Sequence, residues 1–268
     1  MQASSVPSQS ELHEKGISRP GPVLSVIIPC YNERGNVEPL FHAVKQALVH
    51  LDWELIFVDD ASSDGTIDEV WRLAQADSRV RGILRVGRRG LSSAVIEGIL
   101  SSSAPVVAVM DGDMQHDERL LGQMFDAIRN QGYDVAIGSR HVEGGDNSGL
   151  ANWWRLFLSN AGIRIAQLCL PVKVSDPMSG FFAVRRELFV RSVSDLSGTG
   201  FKILLDLLMV QKTVPRVIEL PFVFRSRHEG ESKMGRKVLI QFGQMIAHHM
   251  LKRRKTSLPT ASGGGTAG

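Results

Sequence analysis

The sequence predicts an α/β protein, a mostly parallel sheet with helices on both faces. Three observations carry that expectation. Short apolar runs of strand length alternate with stretches of helical apolar spacing. The runs are mainly apolar rather than strictly alternating, as strands covered on both faces are. Polar clusters rich in Asp, Glu and Arg close the runs, and in such sheets ligands sit at the carboxyl ends of the strands.

The elements follow in order. Val23 to Ile28 is an apolar run closed by Pro29, and reads as a buried strand. Val37 to Leu51 has helical spacing. Trp53 to Val58 is a second strand, ended by Asp59-Asp60. A helix follows from Thr66 to Asp77, with Ser63 or Asp64 as its expected cap. Arg81 to Val86 gives a third strand and Leu91 to Ser102 a helix. Pro105 to Met110 is a fourth strand, Glu118 to Asn130 a helix, and Asp134 to Gly138 a fifth strand. After Arg140 the pattern changes. His141 to Leu150 is a Gly-rich polar loop. Asn152 to Leu170 has an apolar helical face beside Trp153, Trp154, Arg155 and Arg164, which suits an interfacial helix, with a plain core helix as the alternative. Arg216 to Phe224 returns to strand composition. Val238 to Leu251 is a second amphipathic candidate, followed by Lys252-Arg253-Arg254-Lys255.

The expected organisation is therefore an arm at residues 1–22, a main domain at 23–235, an amphipathic basic helix at 236–255 and a tail at 256–268. The arm is Ser/Gln/Pro-rich and lacks the apolar core of a signal peptide; the tail is rich in Gly, Ser and Thr, and both read as disordered. No segment reaches the ~18 consecutive apolar residues of a membrane span. An apolar content of 43% over 268 residues supplies the core of one large domain. Cys30 and Cys169 share no metal or redox spacing and read as buried thiols in a reducing compartment. The net charge is only +3, but between Arg225 and Lys255 nine Lys/Arg face two acids, a net of +7. That segment suits phosphates or an anionic membrane surface.

Four clusters offer chemistry. Asp111-Gly112-Asp113 follows a buried strand, and two hard oxygen donors there suit Mg²⁺ or Mn²⁺ on a diphosphate; a solvated turn uses the same letters. Gln115 and His116 stand just behind. Asp59-Asp60 precedes the cap region and offers acceptors for a nucleobase or ribose. Arg85-x-x-Arg88-Arg89-Gly90 is either a solvated basic turn or an anion contact. Arg225 to Lys233 is a basic loop with Gly230 and Ser232, able to fold over a phosphate.

Taken together these segments resemble the inverting family-two glycosyltransferases, and more narrowly the dolichol-phosphate mannosyltransferases and bacterial polyprenyl-phosphate glycosyltransferases. The resemblance runs in order through Val26–Glu33, Val58–Thr66, Met110–His116, Gly138–Arg140, Asp176–Phe182 and Arg227–Lys233. It implies a GT-A-like nucleotide-binding sheet with C-terminal amphipathic surface helices. It also implies roles. Pro29, Tyr31, Glu33 and Asp60 would line the nucleoside pocket, and Asp111 would face the ribose or donor sugar. Asp113 and Gln115 would hold the metal. Arg140, Arg155 and Ser159 would receive the lipid phosphate. Arg227 would close on the donor phosphates, with Ser232 and Lys233 in the same loop. The catalytic set is then Asp111, Asp113 and Arg227. Gly112 stands where the family usually has Ala, Met114 where it has Leu, and Arg88 to Ala94 keeps part of a Gly-Leu-Gly pattern.

The implied reaction moves a sugar from a nucleotide-sugar donor, GDP-mannose or a UDP-sugar, to polyprenyl phosphate with inversion. A phosphate monoester, with a second pKa of ~6, needs no strong base. The implied setting is peripheral, on the cytoplasmic face of a membrane. A membrane surface, or a small membrane partner subunit, would anchor the protein, and nucleic acid is not an expected partner. Two alternatives stand beside this. A transferase to a glycan hydroxyl would need a general base, with Asp176 or His116 as candidates. A nucleotide-sugar-binding subunit without catalysis would not need the Asp113/Gln115 pair. A dinucleotide oxidoreductase is disfavoured, because no Gly-x-Gly-x-x-Gly follows the first strand.

Overall fold

A computed structural model describes residues 21–140, 142, 170–198, 200 and 202–223. Within them a seven-stranded sheet runs in the order β3-β2-β1-β4-β6-β5-β7. The elements are β1 (Leu24–Cys30), α1 (Arg34–Ala47), β2 (Trp53–Asp59), α2 (Thr66–Ala76), β3 (Val80–Leu84), α3 (Leu91–Ser101), β4 (Val106–Val109), α4 (Leu120–Arg129) and β5 (Val135–Ser139). Then come β6 (Phe182–Arg185), α5 (Arg186–Ser192), a 3₁₀ turn at Val193–Asp195, α6 (Ile203–Met209) and β7 (Val217–Pro221).

β1 pairs in parallel with β2 and β4, β2 with β3, and β5 with β7. β6 is antiparallel to both β4 and β5 and sits between them. The sheet is thus mostly parallel, as expected, with one reversed strand near its centre. β1 and β2 are buried along their whole lengths. Leu24, Val26 and Ile28 pack towards α1, α2 and α4, while Ile27, Ile56 and Val58 pack towards α3, α5 and α6. Helices therefore cover both faces, which is why the strands read as continuous apolar runs.

Some boundaries differ from the sequence reading. α1 begins at Arg34, and Pro39 lies inside it. β3 ends at Leu84; the next residue, Arg85, still donates its N–H to the Asp59 carbonyl at 2.9 Å and turns its side chain inward to an ion pair. The residue at the start of α2 is Gly65 in a left-handed conformation, φ 85°, not Ser63 or Asp64. Asp64 instead accepts from the Thr66 backbone N–H at 3.0 Å and from the Arg34 N–H at 3.1 Å. The expected helices at 152–170 and 238–251, the arm before residue 21 and the tail lie outside the described residues.

Candidate active site

The parallel strands β1, β2, β4 and β5 all point their carboxyl ends at one rim of the sheet, and reversed β6 brings the segment before it to the same rim. Pro29, Tyr31, Glu33, Asp60, Asp111, Asp113, Gln115 and Arg140 all belong to strand ends or the turns that follow them. All three non-glycine residues with positive φ among the described residues are in these turns: Asn32 (56°), Ala61 (54°) and Met114 (64°). Such conformations cost ~1–3 kcal/mol each and gather at functional sites.

The turns after β1 and β2 are fastened to each other. The Asn32 N–H donates to Ser62 Oγ at 2.8 Å, and the Ser63 N–H donates to Asn32 Oδ1 at 3.1 Å. The Glu33 N–H donates to Thr66 Oγ1 at 3.0 Å, and Asn36 Nδ2 to Glu33 Oε2 at 2.7 Å. Burial, then the charges of Asp59, Glu33 and Asp60, push the Cys30 thiol well up, so it stays neutral. Asp60 has one oxygen in an ion pair with buried Arg85 and the other accepting the Gly90 N–H at 2.7 Å. The basic turn at 85–90 is thus not simply solvated: Arg85 is internal, while Arg88 and Arg89 are exposed.

Beyond β4 the two acids differ in setting. The Asp111 side chain is 38% exposed, whereas Asp113 is buried, with Oδ1 accepting the Gln115 N–H at 3.2 Å. The left-handed Met114 makes that return of the chain possible. Gly112 leaves room for a methyl group, since a Cβ would meet Ile28 Cγ2 at 3.4 Å. Gly180 does not: a Cβ there would stand 2.9 Å from Asp111 Oδ2. His116 accepts the Asp111 N–H on Nδ1 at 3.1 Å and stacks on Phe181 at 5.0 Å. Burial lowers its pKa to about 4, with Arg140 lowering it further against the opposing pull of Asp113 and Asp176. It is a neutral, structural imidazole.

Arg140 binds Asp176 Oδ2 through Nε and Nη2 at 3.2 and 2.9 Å, and both side chains are buried. Glu219 on β7 holds the Asp176 turn by accepting from the N–H groups of Ser175 and Asp176 at 2.9 and 3.1 Å. Lys202 donates to the Met178 carbonyl at 3.3 Å. Burial lowers its pKa to about 8; Asp176 and Asp111 raise it and Arg140 lowers it. Lys202, Glu219 and Gly180 were not among the sequence-derived site residues, and each joins the rim. Arg155, Ser159, Arg227, Ser232 and Lys233 lie outside the described residues.

No group of three or more His, Cys, Asp or Glu among the described residues is gathered to hold a metal. Mg²⁺ asks for less, since it keeps waters and takes one or two carboxylates plus substrate phosphate. Buried Asp113 and its neighbour Gln115 are hard oxygen donors at the rim and fit that use.

With this geometry in view, residues 25–191, more than half of the chain, match the family model described as Glycosyl transferase family 2. The chain belongs to glycosyl transferase family 2. It is 42% identical over 226 residues to a dolichol-phosphate mannosyltransferase of Pyrococcus furiosus, covering 82% of this chain and 61% of that protein. The yeast Saccharomyces cerevisiae protein named dolichol-phosphate mannosyltransferase is 36% identical, with 83% of this chain and 85% of that one covered. The polyprenol monophosphomannose synthase of Mycolicibacterium smegmatis is 35% identical, with 86% and 89% covered. The chain thus spans less than two thirds of the Pyrococcus relative and most of the other two. Among solved structures, a Pyrobaculum calidifontis mannosyltransferase in complex with GDP-Man and Mn²⁺ superposes at a TM-score of 0.57 and 19% identity, over 90% of this chain and 66% of that one. Its likeness to this family-2 chain is one of fold.

Proposed function

We propose that this glycosyltransferase moves mannose from GDP-mannose to a polyprenyl phosphate with inversion at the anomeric carbon. The observation that carries the acceptor is the commitment of both general-base candidates. His116 is held neutral against Phe181 with Nδ1 occupied by the Asp111 N–H, and Asp176 is paired with Arg140. A sugar hydroxyl would need a base to take its proton; a phosphate oxygen is already anionic. The names of the curated relatives, over more than 80% of this chain, support mannose and a lipid phosphate.

In the proposed reaction a phosphate oxygen attacks the anomeric carbon as the bond to the diphosphate breaks. The electron pair leaves on the terminal oxygen of GDP, and no proton has to move. This chain's residues bind and orient. Tyr31, Pro29 and Glu33 border the nucleoside, Asp111 faces the sugar, and Arg140, its guanidinium held by Asp176, sets a positive charge beside the acceptor phosphate. A divalent ion, Mg²⁺ or Mn²⁺, held by Asp113 and Gln115, would neutralise charge on the leaving diphosphate. Arg155 and Ser159 on the acceptor phosphate, and Arg227, Ser232 and Lys233 on the donor phosphates, complete the reading from sequence.

The acceptor's hydrocarbon stays in a bilayer, so the site works at a membrane surface. No helix among the described residues is long and apolar enough to cross one. The Trp153–Leu170 and Val238–Lys255 segments are the proposed contacts, with a small membrane partner subunit as the other route. The test is transfer of radiolabelled mannose from GDP-mannose to a short polyprenyl phosphate, read by extraction into organic solvent. Label passing only to hydroxyl acceptors would sink the proposal.

A further inference from the structure

The turn at residues 85–90 is braced from within. Arg85 gives its Nε to Glu97 at 3.1 Å, Nη2 to Ser93 at 2.6 Å and Nη1 to the Gly90 carbonyl at 3.2 Å, besides its ion pair with Asp60. Asp60 in turn takes the Gly90 N–H, where φ is 139°, a conformation that glycine adopts readily. Both ends of the turn are thereby tied to the end of β2. Arg88 is spent on Glu97 at 3.1 Å.

Arg89 is treated differently. It is exposed, and its guanidinium carbon lies 4.6 Å from the centroid of the Tyr31 ring. Among the described residues its N–H donors meet no hydrogen-bond or ion-pair partner. A cation held on an aromatic face by a braced turn is a stationary fork of donors, because arginine stacks on rings while its N–H groups remain available at its edge.

We propose that Arg89 reads the base of the donor nucleotide. The inference rests on the reading of the chain as a GDP-mannose transferase with Tyr31 in the nucleoside pocket. Paired donors from one guanidinium match two adjacent acceptors on one base edge. Guanine offers O6 and N7 there, whereas uracil offers a single carbonyl. Arg89 is thus a specificity residue, and Asp60 and Arg85 are positioning residues that act on the base through the turn.

The test is calorimetric titration of GDP and UDP, with Mg²⁺, into the wild-type chain, Arg89→Ala and Arg89→Lys. Thermal melts serve as the fold control. The expected result is a wild-type preference for GDP that falls by about ten- to a hundredfold in Arg89→Ala, with UDP affinity nearly unchanged. Arg89→Lys keeps the charge without the fork and should not restore it. Equal loss of GDP and UDP would overturn the inference, since Arg89 would then act on the phosphates. So would a wild type with no preference, or a preference that survives in Arg89→Ala. If the preference depends on Arg89 but GDP-mannose yields no lipid-phosphate product, the inference stands and the proposed reaction fails.

Discussion

Gly180 shows how a residue without a side chain tunes one that has chemistry. A methyl group there would press on the Asp111 carboxylate, the mobile end of a partly exposed side chain. Gly180→Ala should therefore melt within a few degrees of wild type and still lose activity on the order of ten- to a hundredfold, because the carboxylate is displaced. Equal activity in the transfer assay would mean that Asp111 has no fixed position to lose. His116 gives a pH signature. Its imidazole takes a proton near the ordinary histidine value of 6.5 when unfolded and at about 4 when folded. Between those values the unfolded state binds more protons, so stability is full above pH 6.5 and declines as pH falls towards 4, by at most about 1.4 kcal/mol per pH unit. Urea melts without added metal should show that slope, and His116→Gln should flatten it. At this scale the strand-end acids were legible in sequence, since Asp59-Asp60 and Asp111-Gly112-Asp113 interrupt apolar runs. Lys202 and Glu219 were not: each is a single charge beside apolar residues, and only the fold carries them to the rim.

At the scale of elements, α3 packs closely on the sheet. A Cβ at Gly98 would run into Ile27 Cγ2 and reach 3.0 Å from Val58 Cγ2, both in the core. Alanine would gain ~1 kcal/mol of helix propensity. Overpacking a filled core costs ~1–3 kcal/mol, and with two β-branched neighbours in the way the cost should win. Gly98→Ala is expected to lower the urea midpoint; a raised midpoint would show that α3 can lift off without penalty. The inner parallel strands β1, β2, β4 and β5 were readable because burial on both faces leaves them largely apolar. β6 was not, since it is four residues long and passes straight into α5 with no turn residue between them. Strand direction, moreover, is not written in composition. α6 escaped for the opposite reason. All seven of its residues are buried, so it has no polar face and no period; its Asp206 is spent on Ser197, accepting from that N–H at 2.9 Å.

For the molecule as a whole, ligand and surface make separate demands. GDP with Mg²⁺ at a hundred times its dissociation constant should add about 2.7 kcal/mol to stability, and EDTA should remove most of that gain if Asp113 and Gln115 hold the ion. An equal melting shift with and without EDTA would take the metal out of nucleotide binding. The basic segment has its own test. Replacing Lys252 to Lys255 with neutral residues should weaken sedimentation with anionic vesicles at low salt, by up to ~1 kcal/mol per cation, while GDP binding is kept. The reversed central strand also has a consequence for how the chain is made. β5 pairs only with β6 and β7, and both follow it in sequence. As the polypeptide leaves the ribosome, β5 therefore emerges with no native neighbour waiting, while the outer edge of β4 stands open for the same strand. Parallel docking of β5 onto β4, in the place β6 must later take, is an available wrong turn, and β6 can correct it only by insertion between them. The half of the rim that carries Arg140 thus depends on pairing between segments far apart in sequence, Val135 with Val217, and such non-local contacts are intrinsically slow to form.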